Sequence, residues 1–292
     1  MRILAVMTAT LALWATPAAA QVCTPEFTDT AQTVTVNNVQ IGAGEISREN
    51  FQVRVRKQGD GRCSASIRFA RIDGSSVSGN LAYTLRSGSS TLQILPNQAA
   101  TATSDSDLFI PGLSSGREGR AVPFLLTVPS EWGIASGFHS EQLELTLLDS
   151  TGRAVDTLLL TINVTIPPAV AMRVVGATGS DNVARINLGT ITPRGVTRSD
   201  PFGIRVFSTS AYLVSFVSEN RGNLRHEGGR DMIPYEMRMD NQLVNLRGRG
   251  TFSFPRRTNS LGRIHRLRVQ AGPATGRAGS YGDRVTVTVT AV

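Results

Sequence analysis

A strictly alternating run near the end of the sequence dominates the hydrophobic pattern. Valine and threonine alternate from residue 285 to residue 290. A period of two in β-branched residues predicts a strand whose valines face a core and whose threonines face solvent. Neither a charge nor a proline follows Arg284, although proteins commonly block exposed strand edges with such residues. This segment is therefore either an edge strand or a strand whose missing neighbour comes from another chain.

The same period of two recurs through the first half of the chain. No stretch keeps apolar residues at helical spacing for three turns, and Gly, Asn and Ser separate the alternating segments. Residues 86–120 are rich in small polar residues and predict a long loop with one or two short strands. Short strands of this kind predict an all-β sandwich or barrel. The predicted strands lie at 33–36, 51–56, 63–69, 81–85, 124–128, 143–147 and 155–166.

Pro167-Pro168 is the natural boundary between two patterned halves, because this dipeptide is stiff and lacks backbone donors. We predict about seven strands after it, including a hairpin that turns through Asp240-Asn241. They lie at 170–174, 186–188, 202–206, 212–216, 235–239 continuing into 243–246, 265–269 and 285–290.

The two halves resemble a diverged repeat. Residues 135–138 precede an alternating run in the first half, as residues 278–281 do in the second. The first half then continues through a turn at 149–152 into the run 155–166, which supplies a last strand. The second half has no corresponding run. The pattern therefore predicts two all-β domains, each a sandwich or barrel, the C-terminal one lacking its last strand.

The N-terminus has the features of a secretion signal. Arg2 is followed by an apolar run from Ile3 to Trp14 and a small-residue site at 18–20. A retained membrane anchor is the other interpretation, but the run is too short to cross a bilayer. We expect a signal peptide at 1–20, an N-terminal sandwich at 21–166, a linker at 167–169 and a C-terminal sandwich at 170–292.

The chain has two cysteines, Cys23 and Cys63. In an exported protein a single pair most simply forms one disulfide. Metal ligation by this pair is not expected, since no histidine or further cysteine lies at ligand spacing. No cofactor is expected either.

The net charge is +8, and Lys57 is the only lysine. A basic surface favours anionic partners, such as acidic polysaccharide or nucleic acid, without choosing among them. The arginines of residues 247–268 could hold phosphate or a sulfated sugar, but their alternation with apolar residues favours a solvated outer face. Only Phe252 and Phe254 could stack on bases there, so no nucleic-acid partner is expected.

Sequence motifs for catalysis are missing. His139, His226 and His265 are scattered, and neither a nucleophile elbow nor a phosphate-binding glycine loop is present. Asp105-Ser-Asp107 begins like a calcium loop but lacks its glycine and distant glutamate, so a solvated loop is favoured. Trp132 is interpreted as a core or turn residue rather than an exposed binding residue. We expect no enzymatic activity.

The second half resembles the spore-coat-U-like domain of subunits of archaic chaperone–usher pili. The resemblance covers residues 170–292 and rests on residues 188–193, residues 212–220 and the segment Gly279-Ser-Tyr281-Gly-Asp283 with the valines that follow. Over residues 21–168 it is weak, and Phe138-His-Ser140 stands where the family favours Tyr-x-Asp.

With the pattern above, the resemblance implies two immunoglobulin-like β-sandwich domains, the C-terminal one lacking its last strand. A strand from a periplasmic chaperone, and later one from an adjacent pilin subunit, would complete that domain. In β-strand addition, backbone hydrogen bonds give affinity and alternate side-chain pockets give selectivity. One wall of the groove would be Val285, Val287 and Val289, and the other Val170, Met172 and Val174. By analogy, Val292 would supply the carboxylate that the chaperone anchors. An outer-membrane usher is a further implied partner.

The position of Cys23 suggests a place in the fibre. If residues 1–20 are removed, too little chain precedes the predicted disulfide to donate a strand, which predicts a two-domain tip adhesin exported through the periplasm to the cell surface. Its N-terminal domain would bind a target such as polysaccharide or an abiotic surface, with no membrane insertion. The main rival is a self-contained secreted sandwich that binds carbohydrate or coats the cell. It predicts that the 285–289 edge is capped by residues 170–175 or by a loop of the same chain. A hydrolase is a third option, without an assembled acid cluster to support it.

Overall fold

The computed structural model describes residues 23–37, 39–42, 44, 46–59, 63–72, 82–102, 106–180 and 183–292. The predicted signal peptide at 1–20 lies outside the described residues, as do Asn38, Leu81 and Asp105. The described residues form strands and connecting segments, so the prediction of an all-β protein is confirmed. They include no helix that is both long and apolar enough to cross a bilayer.

Alternating side chains place eleven strands in the first half. The strands are β1 (Thr24–Phe27), β2 (Ala31–Val36), β3 (Ile46–Gln58), β4 (Ala65–Arg71), β5 (Thr84–Ser87), β6 (Ser90–Thr91), β7 (Ile94–Leu95), β8 (Leu108–Ile110), β9 (Arg120–Pro129), β10 (Gly137–Leu148) and β11 (Ala154–Ile166).

These strands form two sheets that face each other across one core. One sheet has the order β1-β3-β9-β5-β6 and the other the order β2-β11-β10-β4-β7, with β8 beside β4. Inward side chains such as Val53, Phe69, Leu126 and Leu145 are at most 1% exposed. Strand β11 lies between β10 and β2, so both of its edges are hydrogen-bonded.

The second half forms the remaining strands. They are β12 (Val170–Val175), β13 (Thr178–Ser180), β14 (Val183–Arg185), β15 (Thr197–Arg198), β16 (Phe202–Ser208), β17 (Tyr212–Ser218), β18 (Asn223–His226), β19 (Met232–Met239), β20 (Gln242–Leu243), β21 (Arg249–Phe254), β22 (Arg263–Ala271), β23 (Tyr281–Gly282) and β24 (Val285–Ala291).

Two sheets again enclose a core, so the chain contains two β-sandwiches. The larger sheet has the order β12-β16-β22-β19-β18-β23, and the smaller the order β21-β17-β24. The core between them is separate from that of the first half and contains Val206, Tyr212, Val214 and Phe216. The boundary predicted at 167–169 lies between β11 and β12, and its role as a linker between folding units stays a prediction.

Two strand predictions in the second half were wrong. Residues 186–188 form no strand, because the side-chain oxygen of Asn187 accepts a hydrogen bond from the backbone N–H of Gly189, 2.8 Å away, and turns the chain. Strand β21 was missed because Gly250 interrupts its alternation. The turn at Asp240-Asn241 is confirmed, with φ values of +49° and +70°.

A compact joint connects the sandwiches through Trp132 and the residue after it. The Trp132 ring lies 5.7 Å from that of Phe207 at the end of β16. Gly133 has a φ of +102°, and a Cβ added there would lie 2.9 Å from the backbone nitrogen of Ser260. A side chain at residue 133 would therefore separate the two halves.

Thr209 ties this joint to the start of β12. Its backbone oxygen accepts a 2.8 Å hydrogen bond from Ser136 of the first half. Its side-chain oxygen donates to the carbonyl of Pro167 at 3.1 Å and accepts from the N–H of Ala169 at 2.8 Å. Thr209 therefore forms hydrogen bonds both to the first half, at Ser136, and to the segment that connects the halves, at Pro167 and Ala169.

The predicted disulfide between Cys23 and Cys63 is present, with Cα atoms 5.8 Å apart. It closes a loop with a sequence separation of 40. We expect Cys23→Ser/Cys63→Ser to lower the free energy of unfolding of the first half by about 4 kcal/mol, through the added entropy of the unfolded chain. Chemical denaturation measures this, and reduced wild-type protein should match the variant. Equal stability of the oxidised and reduced proteins would contradict the prediction.

Candidate functional site

Strand β24 is hydrogen-bonded along one edge only. It pairs antiparallel with β17 from Tyr212↔Ala291 to Ser218↔Val285. The N–H of Val292 donates to Ala211 and that of Glu219 donates to Arg284, each at 2.9 Å. In an antiparallel ladder such bonded pairs alternate with pairs whose backbone groups point outward. The N–H and C=O groups of residues 285, 287 and 289 therefore point away from β17, towards an edge without a strand among the described residues.

The same three valines direct their side chains towards the core. Val285, Val287 and Val289 are half-buried, whereas Val214 and Phe216 beside them on β17 are fully buried. Each valine thus presents a free backbone edge and a partly exposed apolar side chain on one side. Threonines 286, 288 and 290 are exposed on the opposite face.

Strand β12 has the same property at the edge of the larger sheet. It pairs only with β16 among the described residues, and the N–H of Thr209 donates to the carbonyl of Ala169 at 3.0 Å. Because hydrogen-bonded and non-bonded residues alternate along β12 from that pair, the backbone N–H and C=O groups of Val170, Met172 and Val174 point away from β16. All three side chains are half-buried against the second core.

The structure therefore brings together the six residues that were predicted to line a groove. We call this strip the β12–β24 seam, and its members are Val170, Met172, Val174, Val285, Val287 and Val289. Cα atoms of the two strands approach within 8 Å, without backbone pairing between them. A strand paired to both edges would require a separation of about 9.6 Å, so filling the seam means moving its edges apart.

The other edge of the smaller sheet is covered. Val244 and Leu246 are 3% and 5% exposed and fill the core beside β21. A Cβ added to Gly250 would meet Val244 at 2.8 Å and the backbone nitrogen of Asn245 at 3.0 Å, which shows how closely this segment lies against β21. Loop residues thus protect the β21 edge, whereas the β24 edge is bordered only by the seam.

The first half shows what a filled position looks like. Strand β11 pairs with β10 on one side and with β2 on the other, including Ile162↔Val34. Its inward side chains, among them Leu160, Ile162 and Val164, are at most 1% exposed. The valines of β24 are only half-buried, so their side chains are less completely covered than those of β11.

Asp283 fixes the start of β24. Its carboxylate accepts hydrogen bonds from the hydroxyls of Ser218 and Tyr235, each at 2.6 Å, and from the backbone N–H of Asn220 at 2.9 Å. Burial, together with the neighbouring Asp283 carboxylate, raises the pKa of Tyr235 above its usual value. Asp283 belongs to the motif at 279–283, for which no individual role was predicted from the sequence. Its position two residues before an apolar strand was the available signal.

The three histidines lie in separate environments. His265 is fully buried, with Nδ1 2.7 Å from Asp240 and Nε2 2.8 Å from the Tyr212 hydroxyl. His139 contacts the carbonyl of Ala135, and His226 packs edge-on against Tyr281. Among the described residues no three His, Cys, Asp or Glu side chains gather as a metal site would require. The His265 network lies in the second core, where it packs β22 against β17.

The other candidate residues have ordinary surroundings. Asp107 forms a two-bond ion pair with Arg68, at 2.8 and 2.9 Å, which occupies a carboxylate of the segment considered for calcium. Val292 is 67% exposed. Trp132 packs at the joint rather than standing free. Arg247 precedes β21, and the other arginines up to residue 268 lie on β21, on β22 and in the loop that joins them.

No protein-family model matches the sequence, and no curated protein matches it. Among solved structures, the chain is similar to the chaperone–tip adhesion subunit pre-assembly complex CsuC–CsuE from archaic chaperone–usher Csu pili of Acinetobacter baumannii. That match has 14% identity and a TM-score of 0.42 and covers 92% of this chain and 99% of that one.

Two further similarities involve adhesive subunits. CfaE, the adhesive subunit of CFA/I fimbria of enterotoxigenic Escherichia coli, matches with 10% identity, 92% and 81% coverage and a TM-score of 0.41. The CupB6 tip adhesin from Pseudomonas aeruginosa matches with 14% identity, 92% and 93% coverage and a TM-score of 0.36. All three TM-scores lie below 0.5, so the candidate site is judged from the geometry of this chain.

We expect Asp283→Ala to lower the stability of the second sandwich by about 2–4 kcal/mol, because three donors lose a charged acceptor and the Tyr235 hydroxyl is buried. Tyr235→Phe should cost less, about 1 kcal/mol. Chemical denaturation measures both. Asp231→Ala is the matched control, since its ion pair with Arg277 spans 3.5 Å at the surface and should contribute little. A change at Asp283 no larger than this control would contradict the role of its carboxylate.

Stability at high pH tests the same contact. The pKa of Tyr235 is raised in the folded state, so its stabilising contribution is complete below the unfolded pKa of about 10 and decreases as the pH rises above it. Wild-type protein should therefore lose more stability between pH 9 and pH 11 than Tyr235→Phe. Parallel losses in the two proteins would contradict the assignment.

Proposed function

We propose that this protein is a structural and adhesive subunit of a chaperone–usher pilus, which accepts a β-strand from another polypeptide in the β12–β24 seam. One observation carries the proposal: the residues of β24 whose backbone groups are unpaired also have half-buried apolar side chains. These residues are Val285, Val287 and Val289. An incoming extended segment can bond to the backbone and bury its own apolar side chains at once.

The energy of the seam supports this role. Fully covering a valine or methionine side chain contributes about 1.5–3 kcal/mol, so completing the burial of each half-buried member contributes about 1 kcal/mol. Six such residues represent a large fraction of the 5–15 kcal/mol that stabilises an ordinary domain. Filling the seam would therefore stabilise the second sandwich substantially.

The roles of the two halves follow as part of the proposal. Residues 170–292 would dock to the pilus, filled first by a periplasmic chaperone and then by an adjacent pilin during assembly at an outer-membrane usher. Residues 21–166 would present a surface for attachment, since β11 already completes that sandwich. Exposure of Val292 at the end of β24 is compatible with an anchoring contact to the chaperone.

A tip position is supported by the residue at which the first sandwich begins. Cys23 is disulfide-bonded and β1 pairs with β3 from Thr24 onward, so residues from 23 on are committed to the first sandwich. These residues are therefore not free to pair with a neighbouring subunit, as a tip position would require.

A fused strand tests the proposal without an identified partner. We expect a seven-residue alternating Val/Thr strand, attached after Val292 through a flexible Gly/Ser linker, to raise the free energy of unfolding of the second sandwich by about 3–6 kcal/mol. A fusion of the same length with only Ser and Thr should give no gain. Denaturation followed by fluorescence and size-exclusion chromatography provides the two readouts.

A pair of neighbouring variants controls the site of insertion. Val287→Asp should abolish the gain, because a charge in the seam opposes burial, whereas Thr288→Asp lies on the exposed face and should preserve it. For each variant, the gain is the difference in free energy of unfolding between its fused and unfused forms. Any destabilisation by the substitution itself is present in both forms and therefore cancels. If the unfused protein is a cooperatively unfolding monomer that no fusion stabilises, the seam is closed by its own chain and the self-contained sandwich is the better account.

A further inference from the structure

The two halves of the protein carry opposite charge. Residues 170–292 contain eighteen arginines, no lysine and eight acidic residues, a formal charge of +10. Residues 21–169 contain eleven basic and fourteen acidic residues, a charge of −3. Such asymmetry indicates that one half meets an anionic partner.

Six of the eighteen arginines of the second sandwich cluster on one face of its larger sheet. Side chains that alternate with core residues on β12, β16, β19 and β22 point outward there. We call them the arginine face, together with the neighbouring strand β15, and its members are Arg173, Arg198, Arg205, Arg238, Arg266 and Arg268. Glu236 is the acidic residue that shares these outward positions, and it lies 3.7 Å from Arg238.

The other outer face of the same sandwich is almost uncharged. The outward positions of β17, β21 and β24 hold Leu213, Ser215, Val217, Arg249, Thr251, Ser253, Thr286, Thr288 and Thr290. An arginine-rich composition alone would supply both faces alike. The contrast shows that the arginines are concentrated on the larger sheet.

Several arginines of this face stand directly against one another. Arg173 is paired with Arg205 across β12 and β16, and Arg238 with Arg268 across β19 and β22. Like charges at opposed positions of a sheet destabilise it. Among the described residues no ion pair involves Arg173, Arg266 or Arg268, so a bound anion would relieve this repulsion.

The dimensions of the arginine face suit an extended chain of anions. Neighbouring strands are about 4.8 Å apart and alternate residues along a strand about 6.7 Å apart, so its guanidinium groups recur over a patch about 15–20 Å long. Each planar guanidinium can bind a carboxylate or sulfate with two parallel hydrogen bonds. Four strands of an antiparallel sheet offer a flat surface rather than an element that enters a nucleic-acid groove.

We propose that the arginine face binds a linear acidic polysaccharide through its carboxylate or sulfate groups. Aromatic side chains for base stacking do not accompany the described arginines, since Phe207 on this face is covered by Trp132. This disfavours single-stranded nucleic acid, which uses such stacking. The proposal concerns a surface apart from the seam and does not depend on strand insertion.

Binding of heparin and of polygalacturonate, as sulfated and carboxylated probes, tests the proposal on the full chain. We expect at least one probe to bind at 50 mM NaCl and to weaken about tenfold at 200 mM, as counterions compete. Arg173→Gln/Arg266→Gln/Arg268→Gln should weaken binding at least tenfold. Arg247→Gln/Arg249→Gln/Arg256→Gln removes the same charge from β21 and its flanking loops and should change binding less than twofold.

Thermal unfolding separates loss of binding from loss of fold. The Arg173→Gln/Arg266→Gln/Arg268→Gln variant should melt at the wild-type temperature or above, because it removes repulsion at exposed positions. If it melts at a lower temperature, polysaccharide binding is measured with Arg266→Gln and Arg268→Gln as single variants. Failure of both polysaccharides to bind, equal losses in the two triple variants, or tighter binding of a 20-bp DNA duplex than of either polysaccharide would overturn the proposal. Strand-fusion gains should be unchanged in both triple variants.

Discussion

The rest of the second sandwich depends on the requirement that backbone donors and acceptors find partners. Buried N–H and C=O groups without partners are costly, and water is their only alternative at an open strand edge. At β24 the groups that need partners belong to the valines that also need burial. One extended segment would meet both needs, which is why we assign a strand-binding role to this edge.

The surrounding contacts hold this edge in position. Asp283 fixes the beginning of β24 against β17 and β19, and the pair Val292–Ala211 fixes its end. On the opposite wall, Thr209 ties the start of β12 to the linker and to Ser136 of the first sandwich. Both walls of the seam are therefore attached to well-bonded elements, although the space between them is narrower than a paired strand requires.

The joint connects the seam to the first sandwich. Thr209 contacts the first sandwich and the seam wall at once, and Trp132 packs on Phe207 nearby. Separation of the seam edges would move residues next to the joint. Assembly and the presentation of the first sandwich would thus be mechanically connected through a few hydrogen bonds.

The sequence predicted the strands whose periodicity is unbroken and failed where local chemistry overrides it. The Val/Thr alternation of residues 285–290 fixed both the strand and the direction of its side chains. A strand was wrongly predicted at residues 186–188 because the Asn187 side chain forms a turn there. Strand β21 was not predicted because Gly250 interrupts its hydrophobic alternation. Alternation predicted that Arg266 and Arg268 face outward, but their grouping with arginines of other strands depends on the register between β12, β16, β22 and β19, which no local pattern encodes.

Amide hydrogen exchange along β24 in the free protein tests the central claim most directly. Bonded and outward-pointing residues alternate on this strand, so the amides of residues 286, 288 and 290 should be protected by β17. Those of Val285, Val287 and Val289 should exchange rapidly and become protected when a strand fills the seam. Uniform protection of all six amides in the free protein would show that the edge is already paired, and would contradict the account.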